Sequence, residues 1–458
     1  MLKAKDRIGS SCADELRAAI VGCVALPGSE LYDEGCRVWN GAVHRRPAMI
    51  VFCEQPEDVQ AAVRAARSHS LPLSVRGGGH DWAGRALRDG GLVIDLTRMR
   101  AVTVDPHGLV TTVSGGALAK DVAAAAAAHG LVAPLGNCGA VGMAGLTLGG
   151  GYGPLCGSYG LAADNLLGAD IVLADGRRVA TGANAEPDLF WALRGGGGNF
   201  GVVTSLRVRL HATRHMLMGS IFYNWNEASA VLRRYAAFTA TAPDELGVAV
   251  GIMSGPDGEP VIMLVALWNG DRCQGERVME DLQAFGTPQS AQVGPATYTD
   301  MLARFDAWVE ATQGCHWELR TRWLPALSAE AAEAIITAKA RTASPHCAVF
   351  WHHFHGAATR LPPDGAAFGL RREHLMMEIV AGWNPDGDGG SAHRRWAKDL
   401  WQRLAPLALP GGYANLLGPH DREEAADAYG ANAARLQAVK RRFDPDRIFT
   451  SAITLPER

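Results

Sequence analysis

Residues 74–84 read SVRGGGHDWAG. A strand-like approach ends on Arg76, the backbone passes through Gly77, Gly78 and Gly79, and the next side chain is the imidazole of His80. Closely spaced N–H groups freed by glycine form a concave anion site, so the loop suits a phosphate. Taken alone, His80 leaves three roles open: a turn residue satisfied by local hydrogen bonds, a metal ligand, or a general base. No histidine or cysteine stands at ligand spacing from it, which weighs against a metal. Two further glycine clusters lie at 145–153 and 195–201. One such loop reads as a tight turn; three in the first half of the chain favour a cofactor carrying a diphosphate.

Outward from this loop, AMIVFC (48–53), a helical-period run over 54–70 and LPLSVR (71–76) read as a strand–helix–strand crossover, and GLVIDL (91–96) as a further strand. KDVAAAAAAHG (120–130) is an alanine helix stopped by Gly130. The run LGNCGAVGMAGLTLGGGYGPLCGSYG (135–160) holds too much glycine for a conventional helix, which predicts backbone used at close range to a ligand. ADIVLADGRRVAT (169–181) reads as a hairpin turning on Asp-Gly, and residues 188–210 as a helix, a glycine turn and a long strand. Gly196, Gly198 and Gly201 spell G-x-G-x-x-G, but a helix precedes them and a strand follows. That order is the reverse of a Rossmann unit, so an NAD site is rejected.

After about residue 212 the glycine clusters cease. Strand-like runs at 216–225, 246–254 and 260–268 alternate with helical stretches such as SAEAAEAIITAKA (328–340), as in an antiparallel sheet with covering helices. From Gly411 the character changes again, with a helical run over 422–443 broken by DPDRIF. The expected class is α+β, with a second domain beginning after about residue 212.

The 458 residues, 48% hydrophobic and 20% charged, suffice for two or three packed domains. A net charge of -3 with both signs interspersed provides no field to hold nucleic acid or an anionic membrane. No apolar run reaches the length of a signal-peptide core or a membrane span, so a cytoplasmic protein without nucleic-acid or membrane partners is expected. Nine scattered cysteines without a CxxC pair are expected to be mostly small buried hydrophobes in a reducing compartment.

VRGGGHDWAG, VIDLTRM, GNCGAVGMAGLTLGGGYG, YGLAADNLLGADIVLADG and LFWALRGGGGNFGVVT, in that order, resemble the FAD domain of the berberine bridge enzyme-like oxidases, within the vanillyl alcohol oxidase and p-cresol methylhydroxylase superfamily. YANLLG and YGANAARLQAVKRRFDPDRIF resemble the family's C-terminal return to that domain. The likeness is specific in the FAD-binding parts and weak between about 212 and 405. It implies a two-part FAD-binding domain, residues 1–211 and 411–458, embracing a substrate domain of 212–410 built on an antiparallel sheet with covering helices. It also implies FAD contacts from Arg76, Gly77, Gly78, Gly79, His80 and Gly84, and from Asn137, Cys138, Val141, Gly142, Gly145, Gly149, Gly150, Gly151, Tyr152 and Gly153. Gly195, Gly196, Gly201, Val203, Tyr413 and Asn415 complete the implied set. His80 occupies the position of the family histidine joined to the flavin 8α carbon, and Cys138 that of the cysteine joined to C6 in bicovalent members. Val141 sits where, in similar proteins, valine goes with oxidases and leucine with dehydrogenases.

Hydride transfer from an alcohol or amine needs a base to take the substrate proton. The resemblance points first to Tyr413 in YAN, with Asn415 as a polar positioner. An ordinary phenol titrates near ~10 and needs a cation or second phenol to act at neutral pH. Glu378, an isolated carboxylate in LMMEIVAGW, is a further candidate; His316, Glu318 and Arg320 share one strand face, and His353 and His355 another. The HxH pair lacks an evident carboxylate in sequence, so no metal is expected. Arg371 and Arg372 default to surface salt bridges. The expected activity is two-electron oxidation of an alcohol, hemiacetal or amine in a small organic molecule, with O2 reduced to H2O2. The alternatives are a dehydrogenase, a carbohydrate oxidase and a flavin-binding carrier.

Overall fold

Met49–Phe52 and Leu92–Asp95 are buried at every position, as strands covered on both faces must be, and they pair in parallel. Leu73–Arg76 pairs in parallel with the other edge of Leu92–Asp95, and Cys23–Ala25 adds an antiparallel edge beside Met49–Phe52. The strand–helix–strand unit therefore closes with a third strand between its two. Its helix, Pro56–Ser68, opens on proline with Glu57 and Asp58 in the first turn, and buries Val59, Ala62, Val63 and Ala66. Gly77 to His80 leave the C-terminal end of this parallel sheet. The computed structural model describes residues 2–455 apart from 343, 386–388, 420, 451, 452 and 454.

A second, antiparallel sheet of five strands runs Val102–Asp105, Val110–Ser114, Val202–Arg209, Leu166–Val172 and Arg178–Gly182. The expected hairpin is its edge, turning at Gly176 with φ +80°. The glycine-rich run departs from expectation, because Met143–Leu148 and Cys156–Tyr159 form short helices within it. MAGLTL holds one glycine and is bounded by Gly142 and Gly149, so a short helix forms between breakers.

A seven-stranded antiparallel sheet takes its strands from residues 215–383. Helices Ala228–Thr239, Arg272–Gln283, Ala329–Lys339 and Ser391–Leu404 share one hydrophobic core with its outer face. Alternation along His374–Trp383 sends Leu375, Met377, Ile379 and Ala381 to that core and Met376, Glu378 and Val380 to the inner face. On the inner side, helix Tyr298–Ala311 contributes Tyr298, Met301 and Leu302 to the core of the glycine-rich half. The C-terminal helices Arg422–Tyr429 and Ala433–Phe443 return to that same core through Tyr429, Leu436, Val439 and Phe443.

Arg371 is not the surface residue expected. It is buried, donates to both carboxylate oxygens of Asp164 at 2.8 Å, and donates to the Phe368 and Ala358 carbonyls. It thereby ties the strand-rich half to the glycine-rich one. Arg372 is exposed.

Candidate active site

Gly78 and Gly142 lie backbone against backbone: a Cβ on Gly78 would fall 2.5 Å from the Gly142 nitrogen. Only hydrogen at both positions lets the 77–80 loop and the 138–142 loop meet. The contact brings His80 Nε2 within 3.6 Å of Cys138 Sγ. Trp39 stacks on the His80 ring at 4.9 Å and 9°, fixing its plane. Burial lowers the His80 pKa to about 4, which keeps the imidazole neutral and nucleophilic at pH 7. Burial, with the Asp306 carboxylate beside it, pushes the Cys138 thiol up to about 12. Cys138 donates to Asp306 Oδ1 at 3.4 Å.

Trp39, His80 and Cys138 border a cavity of about 700 Å³ between the glycine loops and the inner face of the seven-stranded sheet. Asn137, Val141, Gly142, Gly145, Tyr152, Gly201 and Val203 border it, as do Gly77, Gly78 and Gly79. So do Tyr413, Asn415 and Glu378. Its far wall is mostly apolar and deformable, with Met218, Met253, Met263, Met376, Phe350 and Trp308, and carries Ser220, Ser290, Gln292 and Arg304 as polar groups.

The remaining eight expected cofactor residues do not border the cavity. Arg76 turns away to Asp95 at 3.1 Å and to the Gly35 and Arg37 carbonyls. Gly84 closes against Val43, Gly149 against Asn415, and Gly150 and Gly195 against Phe368. Gly153 abuts the Leu135 carbonyl and Gly196 the Ala192 carbonyl. Gly151 directs its N–H to the Tyr413 hydroxyl at 3.1 Å. At the seven glycines the missing side chain serves chain packing.

Tyr413 borders the cavity. Burial pushes its pKa above the ordinary phenol range, while the hydrogen bonds its oxygen accepts from Gly151 N–H and, at 2.9 Å, from Asn415 Nδ2 act in the opposite direction by favouring the phenolate. The neighbouring phenol, Tyr152, spends its hydroxyl on His374 Nε2 at 2.7 Å. Glu378 is different. Its Oε1 lies 3.4 Å from His352 Nε2, both side chains border the cavity, and Asn137 Nδ2 donates to His352 Nδ1 at 3.3 Å. Phe350 stands opposite Glu378 in the sheet, so His352 is its diagonal neighbour on the same face.

The other polar candidates lie elsewhere. Glu318 and Arg320 pair with each other at 3.0 Å, with Arg320 over the Trp401 ring, away from the cavity, and His316 packs edge-on to Trp383. His353 and His355 stack at 4.2 Å outside the cavity; a carboxylate does support the first, because His353 Nε2 meets Glu373 Oε1 at 2.8 Å. Sequence reasoning missed Trp39, Asp306 and His352. In FWHHFHG the HxH pattern drew attention to the wrong strand face, and Asp306 sits on an amphipathic helix without a motif.

The family described as FAD binding domain matches residues 47–182, and the family described as berberine and berberine like matches 413–453. The (R)-6-hydroxynicotine oxidase of Paenarthrobacter nicotinovorans is 30% identical over 450 residues, covering 94% of this chain and 96% of that protein. This chain belongs to the berberine bridge enzyme-like FAD-linked oxidoreductases. The solved structure of 6-hydroxy-D-nicotine oxidase from Arthrobacter nicotinovorans superposes with a TM-score of 0.86 at 29% identity, over 96% of this chain and 98% of that one. Glucooligosaccharide oxidase from Acremonium strictum, described with a 6-S-cysteinyl, 8α-N1-histidyl FAD, shares the fold at a TM-score of 0.83 and 23% identity, over 97% of this chain and 99% of that one.

The cofactor of this family member is FAD, and the residues present fit it. The Tyr429 hydroxyl is buried at the cavity wall without a protein partner. A Cβ on Gly145 would meet no protein atom within 4 Å, leaving open space over the Met143–Leu148 helix. Among the described residues no helix is long and apolar enough to cross a membrane.

Proposed function

We propose that this FAD-linked oxidoreductase is an oxidase of small, largely apolar aromatic or alicyclic alcohols or amines. In this reading FAD is bound covalently through His80 and Cys138 and dioxygen is the electron acceptor. The Glu378–His352 pair facing the cavity is the observation that carries it. Bound FAD supplies a two-electron acceptor. The protein supplies the proton acceptor: Glu378 takes the proton from the substrate hydroxyl or amine as the adjacent C–H bond breaks. His352, oriented by Asn137, turns its Nε2 side toward that carboxylate.

The substrate class follows from the far wall. Methionine and aromatic side chains adapt to a flat or bulky apolar skeleton, whereas a sugar chain needs many converging polar groups. 6-Hydroxynicotine, named for the Paenarthrobacter nicotinovorans relative at 30% identity, is a small heteroaromatic amine and agrees with this class. Tyr413 and Asn415 position rather than deprotonate. Val141 borders the cavity beside Cys138 and supports O2 as acceptor through its small size. Nine unpaired thiols suit a reducing compartment, and the reading places the enzyme in the cytoplasm.

The test is a panel of aromatic and alicyclic alcohols and amines beside oligosaccharides, followed by oxygen uptake and peroxide release. Turnover of members of the first group with stoichiometric peroxide is expected. Turnover of oligosaccharides alone, or reduced protein persisting in air-saturated buffer, would overturn the reading.

A further inference from the structure

Bond formation at Cys138 requires a thiolate, the nucleophilic form of cysteine. Burial holds this thiol well above its ordinary value, so at neutral pH it needs a proton acceptor. The structure provides one from the opposite half of the molecule. Asp306, on helix Tyr298–Ala311, accepts the Cys138 S–H at 3.4 Å with the same Oδ1 that accepts Gly139 N–H at 2.8 Å and Ala140 N–H at 3.2 Å. Gly139 is shaped to this carboxylate: a Cβ there would lie 2.5 Å from Asp306 Oδ2. The 138–140 loop is therefore wrapped around the acid, with the thiol directed at it. The other group near Sγ, the His80 ring with Nε2 at 3.6 Å, is assigned to the histidyl bond in the reading above.

We propose that Asp306 is the base for attachment of Cys138 to the flavin. The inference rests on the reading above that Cys138 forms the second covalent link. In the step, the S–H bond breaks and its proton passes to Asp306. The sulfur pair forms the C–S bond at flavin C6, and the C6 hydrogen leaves as a proton. The two electrons of that C–H bond remain on the ring system, which is thereby reduced, and dioxygen reoxidises it with release of H2O2. Asp306 then returns its proton to solvent. Because the base comes from the helix that lies over the sheet's inner face, the cysteinyl bond forms only after that helix is docked on the glycine-rich half. His80 faces the pair and is itself acted on by Asp306, Asp81 and Glu378, while the Lys120 side-chain stem packs beside Gly139.

Asp306→Asn tests this, since its amide oxygen still accepts the two loop N–H groups while losing the ability to take a proton. Holoprotein is purified, denatured, treated with iodoacetamide and weighed, with Cys138 peptides mapped. The wild type is expected to carry one FAD with Cys138 blocked. The variant is expected to carry one FAD through His80 with Cys138 alkylated. Raising the pH of the variant in air from 7 to 10 is expected to restore the thioether at a rate growing about tenfold per unit, as hydroxide replaces the base. Asp306→Glu is expected to restore the bond at pH 7. A wild type with alkylatable Cys138 defeats the Cys138 reading itself. A fully linked Asn variant at pH 7, loss of the histidyl bond together with the cysteinyl one, or no recovery at high pH defeats Asp306 as the base while leaving that reading intact.

Discussion

His80 Nε2 and Cys138 Sγ stand 3.6 Å apart although 58 residues separate them in sequence. In the function proposed above, these two nucleophiles address one planar ligand, and the Gly78–Gly142 contact that sets their spacing leaves no room for a side chain between the two loops. His80→Ala and Cys138→Ala single variants are expected to retain FAD through acid precipitation, and the double variant to release it. Denatured mass and the absorbance of the acid supernatant read the outcome directly.

Glu378→Gln is expected to slow anaerobic flavin reduction by about 10²- to 10⁴-fold, the usual worth of a general base, with KM little changed. Stopped-flow reduction measures it. Tyr413→Phe removes an acceptor for the Gly151 and Asn415 N–H groups instead, so it is expected to cost about 1–3 kcal/mol of stability and less than tenfold in reduction rate. A Tyr413→Phe loss as large as that of Glu378→Gln would return the base assignment to the phenol.

The glycine loops made the cofactor half legible because the constraint there is local: a backbone that must lie against another backbone admits only glycine, as at Gly78 and Gly142. The same signal overreached at Gly84, Gly150 and Gly195, where the close neighbour is Val43 or Phe368, since sequence does not reveal what glycine approaches. The substrate half was legible as an antiparallel sheet and little more. Its strands are covered on both faces, so alternation does not distinguish cavity from core, and His352 looked no different from His353. Glu378 was visible because a lone carboxylate among apolar residues stands out whichever way it faces. Asp306 was not, because its partner Cys138 is 168 residues away and only the fold joins them.

Arg371 and Asp164 form a two-point ion pair inside the junction of the two halves, with Arg371 over the Phe368 ring. Removing one member leaves a largely buried charge without its partner. Arg371→Met is therefore expected to destabilise the protein by about 3–5 kcal/mol, and Arg371→Met with Asp164→Leu by much less. Urea denaturation of the three proteins checks it; equal losses in the single and double variants would show that the pair acts through packing alone.

His374 sets an acid limit on the fold. Its Nδ1–H donates to the Arg372 carbonyl at 2.7 Å and its Nε2 accepts the Tyr152 hydroxyl at 2.7 Å, an arrangement only the neutral ring can make. Burial lowers its pKa from the ordinary 6.5 to about 3, and lowers that of His211, stacked on Tyr159, to about 4. Between these folded values and 6.5 the unfolded chain binds the protons and the folded one does not, so stability is fully present above pH 6.5 and is lost as pH falls toward the folded pKa. Each group contributes a slope of up to about 1.4 kcal/mol per pH unit in that window. Thermal melts from pH 7 to 4 are expected to fall steadily, and His374→Gln, whose amide can donate to the Arg372 carbonyl or accept from Tyr152 without titrating, is expected to flatten the curve. A variant with an unchanged slope would place the acid sensitivity in other groups.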